Sequence, residues 1–202
     1  MAKNILLVRH GEPEAGYTKR FLGRLDPGLS ESGIAQAQRL AERVQSLRPT
    51  RCVASPLRRA SDTAKILAKA SGLEVEHDDR LLEISYGKLE GLTFPEAAAV
   101  YPEAADSWLA LAGDFAFPGG EDFPAFDRRA ADMARFVSRI PEETVLLVAH
   151  GGILRGVLCH LLGLPANGRL RFRFAYASLA TVELSAMGGG ALTGFNVGMN
   201  HQ

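Results

Sequence analysis

The sequence predicts an α/β fold, a mainly parallel sheet covered by helices. Three observations predict it. Short apolar runs at residues 4–8, Arg51–Ala54 and Thr144–Ala149 each end abruptly in a polar loop. A helical pattern follows each loop, and such alternation builds parallel sheets. All three loops carry chemically capable residues, and ligands in such sheets sit beyond the carboxyl ends of the strands.

The elements follow in order. Residues 4–8 read as a buried strand running into Arg9-His10-Gly11. A helix over 30–48 has Ser30 as N-cap, with Ile34, Ala37, Leu40, Ala41, Val44 and Leu47 on one face. Arg51–Ala54 is the second strand, ending at Ser55-Pro56, and a helix over 57–70 stops at Gly72. Residues 92–126 break the alternation with Pro95, Pro102, Pro118-Gly119-Gly120 and Pro124 around a short helix over 104–111 containing Trp108. This stretch reads as a small lid insertion over the strand ends, or as a surface crossover. A helix over 123–140 leads into the third strand, Thr144–Ala149, and then a helix over 153–162 ends at Gly163 and Pro165. Strands follow at 172–176 and Leu179–Leu184. Gly188-Gly189-Gly190 turns the chain into a last strand at 191–197.

Composition bounds the function classes. A chain of 202 residues reads as one domain, 1–202, that buries about 70% of its unfolded surface. Lys plus Arg is 23 and Asp plus Glu is 23, so no broad nucleic-acid-binding or anionic-membrane face is expected. Cys52 and Cys159 sit in apolar contexts and read as buried thiols. The N-terminal apolar run is too short for a signal-peptide core or a membrane span, so a cytoplasmic setting is expected. An apolar edge at 172–176 is the candidate contact for a homodimer, unless it is covered within the monomer.

The strand ends together suggest chemistry. The first supplies Arg9 and His10, the second Ser55, Arg58 and Arg59, and the third His150 with the N–H groups of Gly151 and Gly152. Arginine binds phosphate in a planar, bidentate way, and a helix N-terminus attracts anions. Two histidines, arginines and a helix start would make a site for a phosphoryl group. An imidazole attacks phosphorus only when neutral, with its other nitrogen held, and Gly11 permits a loop whose carbonyl holds it. The leaving oxygen needs a proton from a carboxylic acid; Glu83, Glu12 and Glu90 are the candidates. No metal-ligand spacing and no Gly-x-x-x-x-Gly-Lys-Ser loop is present.

With these residues in place, the sequence resembles the histidine phosphatase, or phosphoglycerate mutase-like, superfamily. The resemblance runs through Leu7-Val8-Arg9-His10-Gly11-Glu12, Gly23-Arg24-Leu25-Asp26, Leu29-Ser30, Gly33 and Gln36-Ala37. It continues in Ser55-Pro56-Leu57-Arg58-Arg59-Ala60, Thr63-Ala64, Leu82-Glu83, Tyr86-Gly87 and Leu89-Glu90-Gly91. It closes with Pro118-Gly119-Gly120-Glu121 and Val148-Ala149-His150-Gly151-Gly152.

The resemblance implies a three-layer αβα sandwich and a phosphomonoester phosphatase using no metal or organic cofactor. It implies His10 as nucleophile, with Arg9, Arg59, His150 and Gly151 on the phosphoryl group. Glu83 is implied as acid and then base, and Arg59 is chosen over Arg58. Where many members carry Asn, this chain has Gly16, and Arg24, or Lys19 with Arg20, would supply the lost phosphate contact. Glu12-Pro13 and the chain length look most like the α-ribazole phosphatase branch, which implies α-ribazole 5'-phosphate as the ester. The alternatives are phosphoglycerate mutase or fructose-2,6-bisphosphatase-like activity and, from another class, a non-catalytic phospho-ligand binder. The partner implied is a small-molecule phosphate ester, with no nucleic acid and no membrane.

Overall fold

The computed structural model describes residues 3–110, 115–185 and 189–198, with only the backbone described at 108–110. Six strands form one sheet: β1 (Lys3–Arg9), β2 (Arg51–Ala54), β3 (Val75–His77), β4 (Thr144–Ala149), β5 (Leu179–Leu184) and β6 (Gly190–Val197). Six helices accompany them: α1 (Glu31–Ser46), α2 (Arg58–Ser71), α3 (Phe94–Val100), α4 (Pro102–Ala110), α5 (Phe123–Arg139) and α6 (Gly151–Leu161). The strand order is β3-β2-β4-β1-β5-β6. The first four strands are parallel, and β5 and β6 add an antiparallel edge.

The alternation of side chains along each strand sorts the core into two layers. Ile5, Leu7, Val145, Leu147 and Ala149 pack with α5 and α6 on one face. Leu6, Val8, Leu146 and Val148 pack with α1 and α2 on the other. Both faces of β1 and β4 are therefore buried, which explains their unbroken apolar runs. Because β1 and β4 lie side by side with Arg9 opposite Ala149, His10 and His150 leave the sheet together.

Several expectations are corrected. Residues 172–176 form no strand. Their backbone polar groups are taken by side chains: the Asn196 amide bonds the Ala175 N–H and the Arg173 carbonyl, and Arg9 bonds the Phe174 carbonyl. The segment ends at Ala177, whose φ of +45° breaks any extension. The edge strands of the sheet are β3 and β6, not 172–176. Ile34 is 41% exposed and Gly33 takes its place on the buried face of α1. The last helix starts at Gly151, two residues earlier than expected. Leu111 and Gly188 fall outside the described residues, as does the Trp108 side chain.

Candidate active site

His10 follows the last residue of β1 and is 3% exposed. Its Nδ1 lies 2.6 Å from the Gly11 carbonyl. A carbonyl only accepts, so Nδ1 carries the proton and Nε2 keeps the lone pair. The loop is pinned from below. The Gly11 N–H donates to Thr63 Oγ1 (3.1 Å), which donates to the Arg59 carbonyl (2.7 Å). A Cβ on Gly11 would stand 2.5 Å from the Gly33 carbonyl, so the two glycines let β1's exit pack against the start of α1.

His150 is 1% exposed, and its ring centroid lies 5.2 Å from that of His10. Its Nε2 is 2.7 Å from Ser55 Oγ, which also accepts the Leu57 N–H at 3.4 Å. When the Ser55 hydroxyl donates to Nε2, the His150 proton sits on Nδ1. Nδ1 is buried with no partner. Burial, and then the neighbouring arginines, hold both histidines well below the usual imidazole range, so both are neutral.

Arg9 and Arg59 are the charges nearest this pair. Arg59 is 1% exposed and donates to the Leu25 (2.6 Å) and Gly23 (3.0 Å) carbonyls. Arg9 donates to the Phe174 carbonyl (2.7 Å) and stacks 4.0 Å from the Tyr176 ring centre. The Nε of each is buried and unbonded. An unsatisfied buried donor costs on the order of 1–3 kcal/mol. These two orphaned donors, joined by His150 Nδ1 in the tautomer that protonates it, suit an anionic ligand.

Glu83 is 8% exposed and closes the opposite side. Oε1 accepts the Ile84 (3.0 Å) and Ile153 (3.1 Å) N–H groups, and Oε2 accepts the Gly152 N–H (2.9 Å). The carboxylate thus occupies the N-terminus of α6, a position the helix dipole favours. A cavity of about 300 Å³ opens over these groups, lined by Arg9, His10, Arg59 and Glu83 among others.

A family model for the histidine phosphatase superfamily (branch 1) matches residues 5–197. The chain belongs to the histidine phosphatase superfamily. Phosphoserine phosphatase 1 of Hydrogenobacter thermophilus is 33% identical over 89% of this chain and 86% of its own. A mycobacterial glucosyl-3-phosphoglycerate phosphatase superposes with a TM-score of 0.86 at 31% identity, over 97% of this chain and 99% of that one. A putative α-ribazole-5'-phosphate phosphatase from Escherichia coli K-12 superposes with a TM-score of 0.89 at 25% identity, over the whole of both chains. The mixed sheet with helices on both sides is the phosphoglycerate mutase-like α/β fold.

In this histidine phosphatase, His10, Arg9, Arg59, Glu83 and Gly151 line the cavity. His150 does not line it; its ring lies 5.2 Å from that of His10, which does. Arg58 is exposed, as expected. Arg24 does not line the cavity: it faces Glu121, with 3.7 Å between Nη2 and the carboxylate. Lys19 and Arg20 do line it. Glu12 and Glu90 do not; Glu90 accepts the Arg24 and Tyr86 N–H groups and braces the loops. The Gly152 N–H, expected on the ligand, is engaged by Glu83. Of residues 92–126, only Phe94 among the described residues reaches the cavity, while residues 19–23 all line it.

Sequence reading missed Arg155, Arg173 and Tyr176, which complete the wall. A signal existed for Arg155, which sits one helical turn after Gly151 on the same face and donates from Nε to the Gly151 carbonyl (3.0 Å). No local signal marks Arg173 and Tyr176, because tertiary folding brings their segment to the site.

Proposed function

We propose that this chain is a metal-independent phosphomonoester phosphatase that works through a phosphohistidine on His10. The observation that carries the reading is the neutral His10, its Nδ1 proton spent on Gly11 and its Nε2 unbonded, beside two arginines with orphaned buried donors. Nε2 attacks phosphorus as the ester P–O bond breaks. Glu83 Oε2, which accepts one N–H where Oε1 accepts two, has the open lone pair that carries the proton to the leaving alcohol. Water then attacks the phosphohistidine, Glu83 takes its proton, the N–P bond breaks, and inorganic phosphate leaves. Arg9 and Arg59 supply the positive charge that a metal ion would otherwise bring, and His150 and the Gly151 edge stabilise the transferring group beside them.

Glu12-Pro13 puts α-ribazole 5'-phosphate among the esters to be compared. The names of the more identical relatives add phosphoserine and glucosyl-3-phosphoglycerate to the esters to be compared. The test is hydrolysis of p-nitrophenyl phosphate in a chelator, with rapid-quench trapping of an acid-labile phosphoenzyme. Turnover with chelator present and a trapped label lost in His10→Ala are expected. Label persisting in His10→Ala overturns the nucleophile, and phosphate binding without any turnover makes the chain a phospho-ligand binder.

A further inference from the structure

The cavity holds more positive charge than a phosphoryl group requires. Six basic side chains line it, Arg9, Lys19, Arg20, Arg59, Arg155 and Arg173, against a single carboxylate, Glu83. Glu83 is occupied by three backbone N–H groups. Arg20 is neutralised by Glu96 at 2.9 Å. Arg9 and Arg59 balance a phosphoryl dianion. Lys19, Arg155 and Arg173 remain, and no carboxylate of the described residues lies within ion-pair distance of them.

Arg155 carries most weight. An exposed cation needs no partner, and Lys19 and Arg173 are exposed. Arg155 is half-buried on α6, and its one bond is from Nε to the Gly151 carbonyl. That bond fixes the guanidinium at the cavity wall, and its Nη groups make no hydrogen bond among the described residues. Lys19 has a φ of +65°, an unfavourable conformation for a side chain-bearing residue, held at the mouth of the same cavity.

We propose that Lys19, Arg155 and Arg173 form a second anion subsite, so that the preferred ester carries a carboxylate or second phosphate on its alcohol part. This rests on the phosphatase reading, in which Arg9 and Arg59 take the transferring group. An ester whose alcohol part has no anion, such as α-ribazole 5'-phosphate, leaves the subsite unfilled and reacts less well.

The experiment compares matched esters that differ only in the second charge. 3-Phosphoglycerate and glycerol 3-phosphate share a three-carbon frame, as do O-phosphoserine and O-phosphoethanolamine apart from the carboxylate. Wild-type kcat/KM is expected to favour the carboxylate-bearing member of each pair about tenfold or more, the scale of one charge-assisted contact. Arg155→Gln is expected to bring the ratio close to one, Arg155→Lys to restore part of it, and the exposed Arg173→Gln to lower it without a folding risk. Equal turnover of the paired esters by wild type, or a ratio unmoved in both Gln variants, overturns the subsite. Titration calorimetry of the same esters on His10→Ala reads the preference without chemistry. Selective binding there, with no p-nitrophenyl phosphate turnover by wild type, would sink the phosphatase reading while upholding the subsite.

Discussion

The Gly152 N–H donates to Glu83 Oε2 at 2.9 Å, and a Cβ added to Gly152 would stand 2.3 Å from Glu83 Oε1. The carboxylate and the glycine therefore occupy one space. Gly152→Ala is expected to push Glu83 out of the helix start. The kcat for alkyl phosphates should fall about 100-fold, the scale of general acid catalysis, with a smaller loss on p-nitrophenyl phosphate, whose leaving group needs little proton donation. Glu83→Gln should show the same split. Equal losses on both substrates in both variants would remove Glu83 from the acid role.

Arg129 holds the segment carrying Glu83. It donates to the Arg80, Leu82 and Glu83 carbonyls and pairs with Glu121 at 2.8 Å, while Glu121 accepts the Ser85 N–H. Lysine cannot reproduce this fork. Arg129→Lys is expected to cost on the order of 2 kcal/mol. That is a Tm loss of roughly 4–8 °C for a chain of this length. Calorimetry reads the loss, and kcat on alkyl phosphates should fall more than KM changes. An unchanged Tm and an unchanged kcat would show that the segment holds itself.

Burial lowers the folded-state pKa of both His10 and His150. Below the ordinary imidazole value of about 6.5, the unfolded chain then binds protons that the folded chain refuses. Their contribution to stability is full above that value and is lost as pH falls below it, at up to about 1.4 kcal/mol per pH unit for each histidine. Chemical denaturation between pH 6.5 and 5.5 should therefore show a shallower loss in His150→Gln than in wild type. The same lowering keeps the nucleophile neutral, so single-turnover phosphoenzyme formation should not fall as pH passes down through 6.5. A loss centred there would mean that His10 titrates normally.

Arg59 bonds two carbonyls of the 23–25 loop while its Nε stays unbonded. Arg59→Lys keeps the charge but cannot serve the loop and a phosphoryl group together. A fall in kcat/KM of about 100-fold is expected. The thermal stabilisation by inorganic phosphate, about 2.7 kcal/mol at 100 times its Kd in wild type, should shrink as well. Arg58→Lys, at an exposed position, is the control and should change neither.

The sequence by itself determined the alternation of strands and helices, because the central runs 5–8 of β1 and 145–149 of β4 are buried on both faces and carry no polar residue to blur the pattern. It also determined the motif glycine of the His10 loop. Gly11 is demanded by a backbone contact that admits no Cβ. Only the tertiary structure decided which groups face the cavity. Arg24 and Arg59 both follow motif residues, yet Arg24 turns to Glu121 while Arg59 is walled in beneath Gly23 and Leu25. Residues 172–176 look like a strand, yet Asn196 and Arg9 take their backbone partners and bend them into the wall. Local pattern reports burial and backbone preference. The direction of a long charged side chain depends on partners distant in sequence, such as Glu121 for Arg24 and Gly151 for Arg155.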